Sequence, residues 1–169
     1  MATALVPALL LSLTACQSST AGPEPAPRTN GKAAAAVPAG VGDTADVGGS
    51  RFGEHLRISL RGFVDPAVPT KAARRPAAGH RWVGVNLRLV NVGGAAYEAP
   101  LTKAWIVDEH GRKHPAVTSG EVTTGFPLSG KSLQVGDDSE GWLAFEVPYG
   151  SRAVRLHCTV GSQERNWQL

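Results

Sequence analysis

The chain has 169 residues, of which 42% are hydrophobic and 18% charged. That is enough apolar material for one packed domain plus a tail, and too much for a globally disordered protein. The formal charge is only +3, and the basic doublet Arg74–Arg75 sits among Ala and Pro; the clustered charge and stacking aromatics that mark nucleic-acid binding are absent, so no nucleic-acid partner is expected.

Residues 2–13, ATALVPALLLSL, carry no charge. The run is too short for a permanent membrane-spanning helix and suits the apolar region of a signal peptide. It leads into Leu13-Thr14-Ala15-Cys16. An aliphatic residue, two small residues and a cysteine resemble the bacterial lipobox. That resemblance implies cleavage before Cys16, with its thiol carrying a diacylglycerol. Residues 1–15 are therefore expected to be a lipoprotein signal peptide, and Cys16 the lipidation site. The segment preceding the apolar run lacks the usual Lys or Arg.

Residues 17–40 are rich in Ser, Gly, Pro and Ala, and Val37 is their one large aliphatic residue. Such a stretch cannot bury enough apolar area to offset its chain entropy. Residues 16–40 read as a disordered, flexible tether, and residues 41–169 as the folded domain.

In residues 51–64, Leu56, Ile58 and Leu60 alternate with polar residues, the period of a half-buried strand. A Pro- and Ala-rich loop over residues 65–79 follows. Residues 81–92 form the next expected strand, with Val83, Val85, Leu87 and Leu89 on one face; Asn91-Val92-Gly93-Gly94 reads as the turn that ends it. Residues 101–107 and 112–117 are expected to pair as a hairpin through the Asp108–Gly111 connection. Strands over residues 142–147 and 154–160 complete the set, joined by Pro148-Tyr149-Gly150. Regular short strands with turn signals and no helical period imply an antiparallel β-sandwich.

This order of elements resembles a family of bacterial surface lipoproteins that contain a domain of unknown function. Its immunoglobulin-like sandwich is similar to that of a mycobacterial secreted antigen. The pieces that carry the resemblance are Val41-Gly42-Asp43-Thr44, residues 81–91 (RWVGVNLRLVN), residues 106–111 (IVDEHG) and residues 141–148 (GWLAFEVP). The resemblance covers residues 41–160. It implies an all-β, immunoglobulin-like fold and brings no catalytic residue. Val135-Gly136-Asp137 departs from the Pro-Gly-Glu-like turn usual in that family.

Several motifs invite a chemical reading. Residues 125–132, GFPLSGKS, satisfy the P-loop spacing, yet a phosphate-cradling loop must open a helix. Gly136 lies within what would be that helix's second turn, so a surface loop is expected. His110 and His114 have the H-x3-H spacing, but Gly111 and Pro115 favour a hairpin over the helix that would align the imidazoles for zinc. Asp137, Asp138 and Glu140 lack the spacing of an EF-hand and read as a solvated acidic loop. His157 alternates with an apolar face and is expected to be exposed. Cys158 reads as a small core residue and Trp82, Trp105 and Trp142 as packed within strands, while Trp167 falls in a polar C-terminal tail.

No nucleophile–base or paired-acid constellation is present, so the chain is read as a non-enzyme without cofactor or metal. The expectation is a lipid-anchored binding or surface-presentation module on the extracytoplasmic face of the cell membrane. Its partners would be the membrane, through the Cys16 lipid, and a protein or envelope polymer, met by the loops at residues 65–79 and 118–131. The rival reading is a small-ligand or metal-binding lipoprotein using His110 and His114 or the acidic loop.

Overall fold

The computed structural model describes residues 39–49, 51–70, 75–98, 103–118, 120–160 and 163–169. All lie within the unit Ala36–Leu169. The expected signal peptide, Cys16 and all of the tether up to residue 38 fall outside the described residues.

Among the described residues the chain forms eight strands and no helix: β1 Thr44–Gly48, β2 Glu54–Ala67, β3 His80–Gly94, β4 Lys103–Asp108, β5 Lys113–Pro115, β6 Asp138–Pro148, β7 Ala153–Val160 and β8 Gln163–Gln168. They make two four-stranded antiparallel sheets, one in the order β1-β2-β3-β6 and the other β5-β4-β7-β8. The all-β sandwich expected from the strand spacing is the observed architecture.

The alternation read from the sequence sets the core. Leu56, Ile58 and Leu60 of β2, Val83, Val85 and Leu87 of β3, and Phe145 and Val147 of β6 point inward from the first sheet. Ile106 of β4, Leu156, Cys158 and Val160 of β7, and Trp167 of β8 face them from the second. Removing each large apolar side chain so buried from water stabilises the fold by about 1.5–3 kcal/mol. A register shift between Leu60 and Gly62 inserts one residue into β2. This bulge switches the side-chain parity. Phe63 consequently falls opposite Val85 and packs on the core, where strict alternation from Leu60 would send it outward.

The first sheet has a second packed layer on its outer face. Ala67, Trp82, Val122 and Ala144 form a smaller apolar cluster with Val64, Val117 and Trp142 against it. Glycine makes this possible. A Cβ on Gly84 would lie 2.8 Å from Val64 and 3.2 Å from the Trp142 indole, and one on Gly141 would lie 2.4 Å from the Leu128 backbone. Residues 120–128 can therefore lie over the sheet, with Phe126 and Leu128 hydrogen bonded to Trp142, and Val117 to Ala144.

Four local expectations are corrected. Asn91 does not end its strand in a turn: β3 runs on to Gly94, and Glu54 pairs with Gly94. The Asn91 amide is buried and donates to the carbonyls of Ala95 and Leu133, so it pins two loops to the strand end. β2 passes Asp65, where the loop was expected to begin, and continues through a cis Asp65–Pro66 bond to Ala67. Asp138 and Glu140 lie on β6, not in a loop. Trp167 belongs to β8 and is fully buried.

Candidate functional site

Two polar constellations stand out, one at an end of the sandwich and one on its second sheet. At the end, Asp108 closes β4 with its side chain fully shielded from solvent. Its Oδ1 accepts hydrogen bonds from the backbone amides of His110 (3.0 Å) and Arg112 (2.9 Å). Its Oδ2 accepts from Arg112 Nε (2.8 Å) and lies 3.0 Å from His114 Nε2. Burial alone would push this carboxyl up. The hydrogen bonds from His114, Arg112 and the turn amides outweigh that and hold it well below the usual carboxylate range. The hairpin Asp108–Gly111 that the sequence suggested is thus organised around Asp108, and Gly111 supplies the positive φ of 79° that the turn needs.

The same end carries a second clasp. Arg81 of β3 grips Asp65 through Nε (2.5 Å) and Nη2 (2.7 Å), and donates to the carbonyls of Pro148 (2.6 Å) and Ser151 (2.9 Å). The bond to Asp65 raises the Arg81 pKa, and burial opposes it. Arg112 in turn donates to Ser151 Oγ. Ser151, in the β6–β7 connection, therefore takes one arginine from each sheet. Its hydroxyl serves Arg112 and not His114, so Ser151, His114 and Asp108 do not form the relay of a nucleophilic triad. The geometry supports a structural role.

The second sheet presents the other constellation. Trp105 pairs with Pro115 of β5 on one side and His157 of β7 on the other. The His157 ring stacks on the indole at 5.3 Å between centroids and 13° between planes. Its Nδ1 lies 2.6 Å from Glu164 Oε1 on β8. His157 was expected to be exposed; instead its side chain is only 14% exposed, held between Trp105 and Glu164. Lys113 places its Nζ 4.9 Å from the indole centroid, a cation–π contact. Beside this cluster lies an open groove of about 440 Å³, lined by Lys103, Ala104, Trp105, Lys113, Pro115, Ala116 and Leu143. It has an apolar floor and two ammonium groups at its rim, within the size range of small-ligand sites.

The register separates the two sheets by charge. On the outer face of the first sheet two cations are matched across strands, Arg57 by Asp46 (2.8 Å) and Arg88 by Asp138 (3.0 Å), while Arg61 at the β2 bulge is exposed. On the outer face of the second, strand alternation from Trp105 brings Lys103, Lys113 and Arg155 out with Glu164 as the single acid. Glu164 is already engaged by His157. Among the described residues Lys103, Lys113 and Arg155 form no ion pair.

The other motifs fall as follows. Residues 125–132 contain no helix; Gly125 packs against the Trp142 indole and Pro127 bridges to Trp142, so the P-loop spacing is a covering loop of the first sheet. His110 is exposed and lies beside Glu109 (3.4 Å), whereas His114 is committed to Asp108. Asp137 accepts from the Gln134 amide (2.9 Å) and Asp138 is paired with Arg88. Among the described residues no group of three or more His, Cys, Asp or Glu is arranged to hold a metal ion. Cys158 is a free buried thiol, and burial pushes its pKa up to about 12, which leaves it unreactive. The two loops proposed for contact do meet: Thr70 N donates to Glu121 O (3.0 Å) and Thr123 N to Val68 O (2.8 Å). They leave Val68, Phe126 and Tyr149 exposed.

Sequence reasoning missed the Trp105 face and the Asp108 hairpin core. The signal for the first was the Lys103-x-Trp105 alternation read together with the Lys113-x-Pro115 return strand. For the second, an acid opening a Gly-containing turn was visible, but not its burial.

The family described as "Domain of unknown function (DUF4352)" matches residues 40–165. No curated protein matches the chain in sequence. Among solved structures, the secreted protein MPT63 of Mycobacterium tuberculosis is similar with a TM-score of 0.57 at 12% identity, over 79% of this chain and 99% of that one. A lipoprotein candidate of Bacillus subtilis, YcdA, is similar with a TM-score of 0.53 at 12% identity, over 73% of this chain and 38% of that one. A functionally unknown protein of Listeria monocytogenes gives 0.51 at 10% identity, over 76% and 88%. At such identities these likenesses bear on the fold.

Proposed function

We propose that this chain, which belongs to the DUF4352 family of domains of unknown function, is an exported lipoprotein whose sandwich acts as a non-enzymatic binding module. Cleavage ahead of Cys16 would leave a lipid on its thiol, and residues 17–38 would tether the domain on the extracytoplasmic face of the membrane, since Ala39 and Gly40 are already bonded to the domain. The observation that carries this reading is the sequence Leu13-Thr14-Ala15-Cys16 directly after an uncharged apolar run. Its support is twofold. Cys158, the other cysteine, is a free thiol buried in the core, as a small packing residue would be. Structures of similar fold include a secreted protein and a lipoprotein candidate.

A binding role is favoured over catalysis by how the polar residues are spent. Asp108, His114 and Ser151 hold the sandwich end together, and the unbalanced charge lies on an open face beside a tryptophan. The test of the anchor is metabolic labelling. Cells given radiolabelled palmitate should label the full chain and not a Cys16→Ser variant, and only the former should enter the detergent phase on phase separation. Equal labelling and partitioning of the two would overturn the anchor.

A further inference from the structure

We infer that the outer face of the second sheet around Trp105, together with the groove at its β5 edge, binds an acidic glycan. This rests on the binding-module part of the reading above and not on the lipid anchor.

Three observations converge on that ligand class. The first is the shelf itself. Trp105 is buttressed by the stacked His157 ring, and His157 is fixed in turn by Glu164. A rigid, partly exposed indole is a surface on which the C–H face of a sugar ring packs, because electropositive C–H groups meet the negative face of the π-system. The second is Lys113, whose Nζ sits 4.9 Å from the indole centroid. Its long stem can swing aside while the ammonium stays near the ring. A pyranose carrying a carboxylate would then satisfy both groups at once, ring on indole and anion on ammonium. The third is the charge pattern. Lys103 also lines the groove, and Arg155 stands two residue pairs along the sheet, across from Val107 on the same face. Three cations around one aromatic shelf match a chain of sugars bearing repeated negative charge better than a single anion. The other sheet provides a partial contrast, since Arg57 and Arg88 on its outer face are matched by aspartates across the strands.

An acidic peptide would also meet the cations, but it would draw little from the indole. The apolar groove floor of Ala104, Trp105, Pro115 and Leu143 therefore makes the sugar ring the distinguishing element.

The test is isothermal titration of the full chain with trigalacturonate, its neutral counterpart galactotriose, and triglutamate. Trigalacturonate should bind saturably and more weakly as salt rises. The neutral sugar and the peptide should each bind at least about tenfold less tightly, about 1.4 kcal/mol. Trp105→Ala and the double variant Lys103→Ala/Lys113→Ala should each weaken trigalacturonate at least about tenfold. Arg61→Ala, an exposed cation of the first sheet, should leave it unchanged. Both lysines are exposed, so their removal leaves the fold intact, and Trp105→Phe should retain intermediate affinity if the alanine variant is unstable. Three results would overturn the proposal: no binding of trigalacturonate, equal binding of triglutamate, or affinity indifferent to both Trp105 substitutions in folded protein. Binding is measured without reference to the lipid, so failure here and failure of palmitate labelling are read separately.

Discussion

At the scale of single residues, the acid response of this domain should centre on Asp108. Its carboxyl is buried, yet four donors keep it ionised and depress its pKa below the usual carboxylate value. A group depressed in the folded state binds fewer protons there than in the unfolded chain. Its contribution to stability is therefore complete above the unfolded value of about 3.9 and is lost as pH falls towards the lower folded value. Stability measured by denaturant titration should be flat in this respect near neutrality and fall below about pH 4. Asp108→Asn should lower the melting temperature by several degrees at neutral pH and flatten the acid limb. An acid limb equally steep in the variant would show that other carboxylates govern it.

At the scale of elements, the sequence was legible where period 2 met a single buried face. β3 shows this best: Val83, Val85, Leu87 and Leu89 were assigned to the core face and are buried there. β7 and the first half of β2 follow the same rule. Legibility failed for strands whose identity comes from their neighbours. β1, TADVG, is five residues long with an aspartate and a glycine, and it forms because β2 offers it an edge from Ser59 to His55. β8, QERNWQ, has five polar residues and one tryptophan. Its alternation is invisible in a hydrophobicity pattern, because only Trp167 of its inward positions is fully buried, while Arg165 reaches across to the Asp46 carbonyl (3.3 Å). The candidate site was hidden for a related reason. Lys103 and Trp105 share a face of β4, but Lys113 joins them only through the β4–β5 register and His157 only through the β4–β7 register. The anchor, by contrast, is a contiguous motif and was readable without any fold.

The dependence of β8 on one residue gives a measurable consequence. Trp167 heads the fully buried side chains by volume among the described residues, and β7 is the only strand that β8 pairs with among them. Trp167→Ala should cost about 3–5 kcal/mol through lost transfer energy and the cavity left behind. Its indole N–H is buried without a hydrogen-bond partner. Trp167→Phe therefore sacrifices volume but no hydrogen bond, and should cost only about 1–2 kcal/mol. Chemical denaturation followed by circular dichroism would rank the two; equal losses would indicate that the indole N–H is satisfied in solution.

For the whole molecule, the question is what keeps two sheets with one shared core in register at their ends. The core itself is non-directional, since apolar side chains tolerate sliding. The directional element is the Ser151 junction. Arg81 comes from the first sheet with its side chain 13% exposed and reaches five acceptors: both Asp65 oxygens and the carbonyls of Pro148, Tyr149 and Ser151. Arg112 comes from the β4–β5 turn of the second sheet and reaches Asp108 and Ser151 Oγ. Ser151 is buried and belongs to the connection that passes from one sheet to the other, so displacing either arginine loosens the site of the other. The two should be energetically coupled although no hydrogen bond joins them. In a double-mutant cycle on unfolding, Arg81→Ala and Arg112→Ala should depart from additivity by about 0.5–1 kcal/mol, the range for residues sharing one network. Arg81→Ala paired with Arg57→Ala, whose partner Asp46 lies on the far edge strand β1, should be additive. If both pairs were additive, the sandwich end would be held by two independent clasps, and the core alone would set how the sheets align.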